Sequence, residues 1–294
     1  MSVAARSRDT VAGLVGEAGR ILARAGVASP RLDARLLLAH ALSADHAALI
    51  RDGEAPVGGA RRAAFMALVR RRAAREPVSR ILGTREFYGR GFAIAPSVLD
   101  PRADTETLVG AALERSAGRR HMPLRICDLG TGCGALIVTL LAELPRATGL
   151  AIDIDWHAVR IARANARRHG VAERCCFCVA HWAEAVSGTF DLVVANPPYV
   201  ARGALAALAP EVGAHDPVAA LDGGEDGLAG HRAVAAAAAR LLDPAGGVLL
   251  VEVGAGQSGP VTRLLRQSGL SPAGPSAVVH DLAGVERVII ARKG

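Results

Sequence analysis

An apolar run ends in four residues whose oxygens could hold an amine. Residues 190–195 read Phe-Asp-Leu-Val-Val-Ala and are followed by Asn196-Pro197-Pro198-Tyr199. A short β-branched run predicts a buried parallel strand, and ligands bind at the carboxyl edge of open α/β sheets. Because proline has no N–H, the Asn196 side-chain oxygen and the Pro197 carbonyl could both accept from one planar NH₂ group beneath the Tyr199 ring. An ordinary Pro-Pro end to a strand is the alternative.

A glycine-rich loop follows an earlier apolar run and could bring a ligand close to the backbone. Residues 128–134 read Asp-Leu-Gly-Thr-Gly-Cys-Gly and lie between a predicted strand and a predicted helix. Residues 130–135 also fit the relaxed dinucleotide fingerprint, with Asp153 at the spacing of about 20 residues expected of a ribose-binding acid. The loop alone leaves the ligand open. Asp128 favours S-adenosylmethionine, because a carboxylate would repel a pyrophosphate but attract an amino group or a sulfonium.

His181 and Trp182 follow the next predicted strand after Asp153, where the adenine of such a ligand would lie. The Trp182 ring could contact the purine, and a neutral His181 could accept from its exocyclic amine. A core tryptophan and a surface histidine are the alternatives. We expect the ligand contact chiefly from Trp182.

The composition predicts a soluble, cytoplasmic protein with an aliphatic core. Of the 294 residues 51% are apolar and 3% aromatic, and no run approaches the ~20 apolar residues of a membrane span. The cysteines are Cys127, Cys133, Cys175, Cys176 and Cys178. Their odd number and spacing are unlike a disulfide framework or a zinc site and favour buried structural thiols in a reducing compartment. The net charge of +7 would attract acidic partners, but arginine-rich coding weakens that inference.

Helical spacing of apolar residues predicts a small bundle at the start of the chain. One set recurs over residues 11–22 and a second over 32–38, with Pro30 suited to the first position of the second helix. Further helices are expected near residues 45–50 and 58–75. Arginines crowd the last helix, where we expect a solvated face because no aromatic residues interleave with them as in a single-strand binder.

After the bundle, glycines within residues 81–94 predict a β-hairpin, and Asp104 or Thr105 could cap the helix that follows. From residue 124 onward strands alternate with helices, which predicts a doubly wound, mostly parallel α/β sheet. The last two strands have a short connection and should form an antiparallel hairpin. The seven predicted strands are residues 124–129, 148–153, 175–179, 190–195, 247–253, 276–280 and 287–291.

These motifs together resemble the glutamine-N5 protein methyltransferase family (HemK/PrmC) that modifies class 1 translation release factors. The resemblance covers nearly the whole chain: the helical start and residues 76–89, 101–106, 130–134, 196–199 and 221–224. Each stretch is weak evidence alone, but their order and spacing are specific. The family implies a class I methyltransferase with a seven-stranded sheet. Its implied domains are a substrate-docking helical bundle at residues 1–76, a β-hairpin linker at 77–100 and an S-adenosylmethionine-dependent methyltransferase domain at 101–294.

The resemblance also implies site residues. Those for S-adenosylmethionine are Gly130, Thr131, Gly132, Cys133, Gly134, Asp153, Trp182 and Asn196. Those for the substrate glutamine are Asn196, Pro197, Pro198 and Tyr199, with Asn196, Pro197 and Tyr199 as the catalytic set. Two residues depart from the family pattern. Ala103 replaces a usual second proline, which should loosen its loop, and His181 replaces a usual acid at the expected adenine contact.

The implied reaction transfers the sulfonium methyl group to the side-chain amide of the glutamine in a release factor's Gly-Gly-Gln motif. An amide nitrogen is a poor nucleophile because its lone pair is delocalised. Acceptors for both of its hydrogens would raise its electron density and aim the lone pair. The product would be S-adenosylhomocysteine. We expect no metal, no membrane and no nucleic-acid substrate, and a monomer.

Three alternatives remain at this point. Adenine-N6 DNA methyltransferases share the Asn-Pro-Pro-Tyr ending, but no inserted target-recognition domain is evident here. A sister family methylates a glutamine of a large-subunit ribosomal protein, and residues 101–106 favour the release-factor branch over it. A non-enzymatic protein that keeps the fold is the third, against which the intact glycines, Asp153 and residues 196–199 argue.

Overall fold

The computed structural model describes residues 9–274 and 276–294, which fall into two compact units. The helical unit contains the chain up to Gly83 together with Ala209–His215. The sheet unit contains Thr84–Leu208 and Asp216–Gly294. Residues 1–8 of the bundle predicted at 1–76 lie outside the described residues.

The helical unit is built from short amphipathic helices around an aliphatic core. They are α1 (Val11–Arg24), α2 (Pro30–Leu42), α3 (His46–Arg51), α4 (Gly59–Ala73), α5 (Val78–Leu82) and a one-turn helix at Pro210–Gly213. Thr10 caps α1 by accepting from the Gly13 amide at 3.2 Å, and Pro30 occupies the first turn of α2 as predicted. The second apolar set is only partly core. Leu37 and Leu38 are buried, whereas Leu32 and Leu36 are 51% and 39% exposed.

Within the helical unit, Glu211 binds two arginines, one in α4 and one just after it. The Arg72 side chain is only 7% exposed, and its guanidinium contacts Asp33 at 2.7 Å and Glu211 at 3.1 Å. Arg75 contacts the other Glu211 oxygen at 2.7 Å. The expectation of a solvated arginine face is therefore wrong for Arg72, because a carboxylate 139 residues away in the chain reaches it.

We expect Glu211→Gln to destabilise the protein in a pH-dependent way. The hydrogen bonds from Arg75, with a further one from Arg72, lower the pKa of Glu211 from 4.5 to about 2. The ionised carboxylate therefore contributes stability that is complete above the unfolded pKa of 4.5 and is lost as the pH falls towards 2. Urea titrations near neutral pH should show a loss of about 2 kcal/mol in the free energy of unfolding.

The exposed Glu54 provides the control, since Glu54→Gln should leave the unfolding free energy almost unchanged. The difference between Glu211→Gln and the parent should shrink as the pH is lowered. A difference that stayed constant down to low pH would contradict this account.

A tight hairpin opens the sheet unit. Strands β1 (Thr84–Phe87) and β2 (Arg90–Ala93) pair antiparallel. The two residues between them, Tyr88 and Gly89, have φ of 50° and 68°. Positive φ at both positions is the type I′ geometry that matches the twist of paired strands. The hairpin is shorter than the predicted range of 81–94, because residues before Gly83 form α5.

The main sheet confirms the predicted doubly wound, mostly parallel class. Its strands are β3 (Arg125–Leu129), β4 (Thr148–Asp153), β5 (Cys175–Val179), β6 (Leu192–Ala195), β7 (Val248–Glu252), β8 (Leu270–Pro272), β9 (Val278–His280) and β10 (Glu286–Lys293). The spatial order is β5-β4-β3-β6-β7-β10-β8, with β9 also paired to β10. The first five are parallel, and β10 runs antiparallel to its neighbours.

The described sheet has eight strands where seven were predicted. The additional strand, β8, has three residues and ends in proline, so it carries no periodicity that could identify it. The helices of this unit are α6 (Glu106–Arg115), α7 (Ala135–Glu143), α8 (Trp156–Arg168), α9 (Ala229–Leu241) and α10 (Ser258–Gln267). No helix within the two described ranges is long and apolar enough to cross a membrane.

The central strand β6 is buried on both faces. In β6, Leu192 and Val194 belong to one core cluster, whereas Val193 and Ala195 belong to the other. The first cluster includes side chains of α6, α7 and α8, and the second includes those of α9 and α10. This two-sided burial explains why the strand is a continuous apolar run rather than an alternating one.

The cysteines were predicted to be buried, and the structure confirms this for only three of the five. Cys127, Cys133 and Cys175 are buried, but Cys176 is exposed and Cys178 is half-buried. The prediction is wrong for Cys176 because β5 is the outermost strand beside β4, where neighbouring elements cover less of the strand.

Candidate active site

A cavity of about 590 Å³ lies in the sheet unit at the carboxyl edge of β3, β4 and β6. Most of the predicted site residues line it: Gly130, Thr131, Gly132, Cys133, Asp153, Trp182, Asn196 and Pro198. Gly134, Pro197 and Tyr199 are not among the lining residues. The volume is in the range of small-molecule sites, which is roughly 300–1,000 Å³.

The glycine loop is folded back onto the end of β4 by its own backbone. The amides of Gly130 and Thr131 both donate to the Ile152 carbonyl, at 2.9 and 2.8 Å. Gly134 has φ of 83°, and a Cβ there would lie 3.1 Å from the Ala162 Cα of α8. Gly134 therefore permits the turn and the close approach of two helices rather than lining the cavity.

Asp153 connects the glycine loop to the start of α8. Its Oδ2 accepts from the Gly132 amide at 2.8 Å, and its Oδ1 accepts from the Asp155 amide at 3.0 Å. Burial raises its pKa, and these two amides oppose that rise. Each oxygen retains a lone pair, so the carboxylate is oriented to accept two further hydrogen bonds, as from a ribose diol.

Asp128 acts from beneath the loop rather than from the cavity wall. It is fully buried, and its Oδ2 accepts from the Thr131 hydroxyl at 2.7 Å. Its Oδ1 has no hydrogen-bond partner among the described residues. Burial raises the pKa of Asp128 to about 7, so this carboxyl is ionised only partly at neutral pH.

The charges around the cavity discriminate between ligand classes. The acidic residues that line it are Asp153, Asp155 and Asp222, and the described lining contains no lysine or arginine. An acidic lining repels phosphates and attracts cations. The wall therefore suits the sulfonium and amino groups of S-adenosylmethionine better than a dinucleotide pyrophosphate, although Arg202 contacts Asp222 at 3.0 Å.

Trp182 and His181 both line the cavity, in different settings. Trp182 has φ of 49° and packs partly against the sheet core, with a ring atom 4.0 Å from the Cβ position of Gly130. His181 is exposed, and its Nδ1 lies 2.9 Å from Glu184. The described geometry allows Trp182 to present a flat apolar surface to a purine.

The Asn196 amide is oriented by a hydroxyl on another element. Its Nδ2 donates to Thr105 Oγ1 at 3.1 Å, so Oδ1 is the end of the amide that remains for a cavity ligand. Thr105 makes no cap hydrogen bond to α6, so the predicted capping by this residue is wrong. Its hydroxyl is directed to Asn196 instead.

Tyr199 is held at both its backbone and its ring. Its carbonyl accepts from Gln257 Nε2 at 3.0 Å, and its hydroxyl donates to Glu252 Oε1 at 3.5 Å. Burial and the nearby Glu252 raise the pKa of Tyr199 to about 12, so the phenol is neutral. Tyr199 as a cover over the substrate amide stays a prediction, since its ring is not part of the cavity lining.

Three residues of this arrangement escaped sequence reasoning: Thr105, Glu252 and Gln257. A signal existed for Glu252, because an acid ends the apolar strand β7 just as Asp153 ends β4. Thr105 lies in the 101–106 stretch but was interpreted only as a helix cap. Gln257 carries no motif that would single it out.

Gly230 should be essential for the position of the two prolines. A Cβ on Gly230 would lie 2.9 Å from both the Pro197 Cβ and the Pro198 carbonyl oxygen. We expect Gly230→Ala to lower the free energy of unfolding by about 1–3 kcal/mol, measured by denaturant titration, because the crowded atoms belong to rigid rings and backbone.

Gly110 in α6 is the matched helical control, since it is exposed and a Cβ there would meet nothing within 4 Å. Gly110→Ala should stabilise the protein by up to about 1 kcal/mol through helix propensity. Equal responses of the two variants would show that Gly230 is not sterically constrained.

Comparison with known proteins agrees with this site. A family model described as "Methyltransferase small domain" matches residues 110–212, and one described as "PrmC N-terminal domain" matches 14–83. A solved methyltransferase from Pyrococcus furiosus has the same fold, with a TM-score of 0.50 at 16% identity over 71% of this chain and 91% of that one. The fold and the cavity thus define a methyltransferase with a Rossmann-like sheet.

Relatives narrow this class to one family. A release factor glutamine methyltransferase of Rhodospirillum rubrum is 47% identical over 94% of this chain and 85% of its own length. One from Agrobacterium fabrum is 41% identical over 97% of this chain and 98% of its own. The chain belongs to the release factor glutamine methyltransferase family, which confirms the resemblance seen in the sequence.

Proposed function

We propose that this chain transfers a methyl group from S-adenosylmethionine to the side-chain nitrogen, N5, of the glutamine in the Gly-Gly-Gln motif of class 1 peptide chain release factors. The observation that carries the proposal is the Asn196 amide, whose NH₂ end is bound by Thr105 and whose oxygen is left as an acceptor beside the cavity. A substrate amide presents two N–H donors, which is the complement of this arrangement.

Residues of the cavity wall would hold the methyl donor. Residues 130–133 would contact its methionine part, Asp153 its ribose and Trp182 its adenine, and the acidic lining suits its cationic groups. Gly134 would contribute by shaping the loop. When bound, S-adenosylmethionine supplies an electrophilic methyl group on sulfur. No metal is part of this proposal.

The chain's own contribution is to position and polarise the substrate amide. Asn196 Oδ1 and the Pro197 carbonyl accept its two hydrogens, which raises electron density on the nitrogen and directs its lone pair into the cavity. Pro198 adds to the cavity wall, and its carbonyl packs against Gly230. No residue has to remove a proton first, because the proton can leave after the carbon–nitrogen bond has formed.

Removal of the Asn196 acceptor should reduce turnover far more than it reduces donor binding. We expect Asn196→Ala to lower kcat by ~10²-fold or more, by analogy with the loss of one preorganised hydrogen bond in other enzymes. Gln267→Ala, at an exposed position of α10, is the control and should retain parental activity. Turnover of Asn196→Ala within a few-fold of the parent would contradict the mechanism.

A labelling experiment tests the substrate. The protein is incubated with methyl-labelled S-adenosylmethionine and, in separate reactions, with a release factor, the same factor with its Gly-Gly-Gln glutamine replaced, a large-subunit ribosomal protein, and duplex DNA. We expect label only on the unmodified release factor. Label on the ribosomal protein alone or on DNA alone would assign the chain to one of the two rival activities, and absence of donor binding by calorimetry would favour a non-enzymatic role.

The domain roles are part of the proposal: substrate docking by the bundle at 1–76, a hairpin linker at 77–100, and catalysis by 101–294. Docking is supported by apolar side chains that the helical unit leaves in solvent, namely Leu32, Leu36 and Ile50, of which Ile50 is 70% exposed. Leu32 and Leu36 are four residues apart on α2 and therefore share one face. A cytoplasmic location is also proposed, in keeping with the cysteines, which are free.

The double substitution Leu32→Ser/Leu36→Ser should raise KM for whole release factor several-fold and leave the affinity for S-adenosylmethionine unchanged, because the lost apolar area would contact only the protein substrate. Leu282→Ser is the control, since Leu282 is fully exposed in the sheet unit. Steady-state kinetics and calorimetry provide the two readouts. Unchanged KM in the double variant would contradict docking through this face.

A further inference from the structure

Glu252 is a buried acid that the proposed mechanism does not use. It ends β7 and is 1% exposed. The last registered pair between β6 and β7 is Ala195 with Val251, so the next residues, Asn196 and Glu252, follow at the same level of two adjacent strands. Glu252 does not line the cavity, so it can affect the reaction only through other residues.

Two hydroxyl groups connect Glu252 to residues of the site. The Tyr199 hydroxyl donates to Oε1 at 3.5 Å. The Thr105 hydroxyl lies near the Glu252 carboxylate and lowers the pKa of Glu252. The second carboxylate oxygen of Glu252, Oε2, has no hydrogen bond of good geometry within the described residues. Thr105 is itself buried and accepts from Asn196 Nδ2 at 3.1 Å. Thr105 therefore lies between the acid and the amide.

A threonine hydroxyl has one proton, and its direction decides which end of the amide Thr105 can bind. If the proton is donated to an ionised Glu252, the Thr105 oxygen offers only lone pairs to Asn196. The Asn196 NH₂ group must then face Thr105, and Oδ1 must face the cavity. If the amide were flipped, Asn196 Oδ1 would face the Thr105 oxygen, and two buried acceptors would lie opposite each other without a proton between them. Such an unsatisfied pair costs free energy.

We propose that Glu252 is a positioning residue that acts through the Thr105 hydroxyl to fix the orientation of the Asn196 amide. The proposal rests on the proposed function, since it explains why an acceptor rather than a donor faces the substrate nitrogen. Tyr199 completes the arrangement, because its hydroxyl occupies the other carboxylate oxygen and places the ring-bearing loop in a defined position.

Protonation of Glu252 should reverse this order. A protonated carboxyl can donate to Thr105, which frees the threonine proton to bind Asn196 Oδ1 and turns the acceptor away from the cavity. The ionised form is therefore the active one, and turnover should fall as the pH falls through the pKa of Glu252. Burial raises that pKa to about 7.

The other titratable groups near Glu252 come from several elements. Arg287 of β10 favours its ionised form, and Asp104, in the turn before α6, opposes it. Arg287 is shared with two aspartates, Asp104 at 2.9 Å and Asp281 at 2.8 Å. Tyr199 is neutral, and His231 of α9 has a pKa lowered by burial, so its neutral ring donates from Nε2 to the Glu252 carbonyl at 2.9 Å.

The test is a set of kcat-against-pH profiles at saturating methyl donor and release factor, between pH about 5.5 and 8.5. The parent should lose turnover below a midpoint near 7. Glu252→Gln, which is isosteric and can donate to Thr105 at any pH, should lower kcat about tenfold to a hundredfold and abolish this pH dependence. Its affinity for S-adenosylmethionine, measured by calorimetry, should stay within a few-fold of the parent.

Variants at Thr105 separate positioning from a general structural role. Thr105→Ser keeps the hydroxyl and should retain both the turnover and the pH profile, whereas Thr105→Val should lose about as much as Glu252→Gln. In the double variant Thr105→Val/Glu252→Gln the second change should add little, because both remove one pathway. Additive losses, or a Glu252→Gln variant with parental kcat and pH profile, would overturn the inference.

The affinity for S-adenosylmethionine distinguishes an effect of Glu252 from an effect of Asp128, whose pKa burial also raises to about 7. Asp128 lies under the glycine loop, so its titration should change the dissociation constant for S-adenosylmethionine rather than kcat at saturation. A loss of donor affinity that parallels the loss of kcat in Glu252→Gln would count against positioning. If the parent labels its glutamine substrate and these variants behave as the parent does, only the inference about Glu252 fails. If the parent labels no glutamine, both this inference and the proposed function fail.

Discussion

Parallel pairing of β3 with β4 on one side and with β6 on the other is the constraint on which the site depends. The last registered pairs join Leu129 to Ile152 and Leu129 to Ala195. Because parallel strands run in the same direction, the residues that follow all leave the sheet at one edge. The glycine loop, Asp153 and Asn196 meet there, although each comes from a separate part of the chain.

Close packing of backbone then fixes the loops at that edge. Gly134 allows its turn to rest against Ala162 of α8, and Gly230 allows α9 to approach the two prolines after Asn196. At both positions the nearest atoms, within 3.1 Å, belong to backbone, to a proline ring or to Ala162, so the site tolerates little displacement. Helices on opposite faces of the sheet therefore contribute to the same cavity without supplying its polar side chains.

Two buried acids play comparable parts beneath the cavity. Asp128 is the penultimate residue of β3 and accepts from the Thr131 hydroxyl, and Glu252 ends β7 near the Thr105 hydroxyl. Burial raises the pKa of both, so each carboxylate is held at an energetic cost in the folded protein. An acid that orders a threonine hydroxyl gives the polar groups beside it a defined pattern of donors and acceptors.

The sequence by itself determined the order of strands and helices, the doubly wound class, the glycine loop and the strand that ends at Asn196. These depend on local properties: hydrophobic periodicity, the conformations open to glycine and proline, and the residue that ends each run. Most of the site residues that it predicted line the cavity, because strand ends in such a sheet share one edge. Only the tertiary structure decided that Thr105 binds Asn196 across 91 residues, that Glu252 lies near Thr105 and Tyr199, and that Arg72 contacts a carboxylate 139 residues later. Contacts at such separations are set by how helices and loops pack onto the sheet, and the local pattern around each residue carries no record of its distant partner.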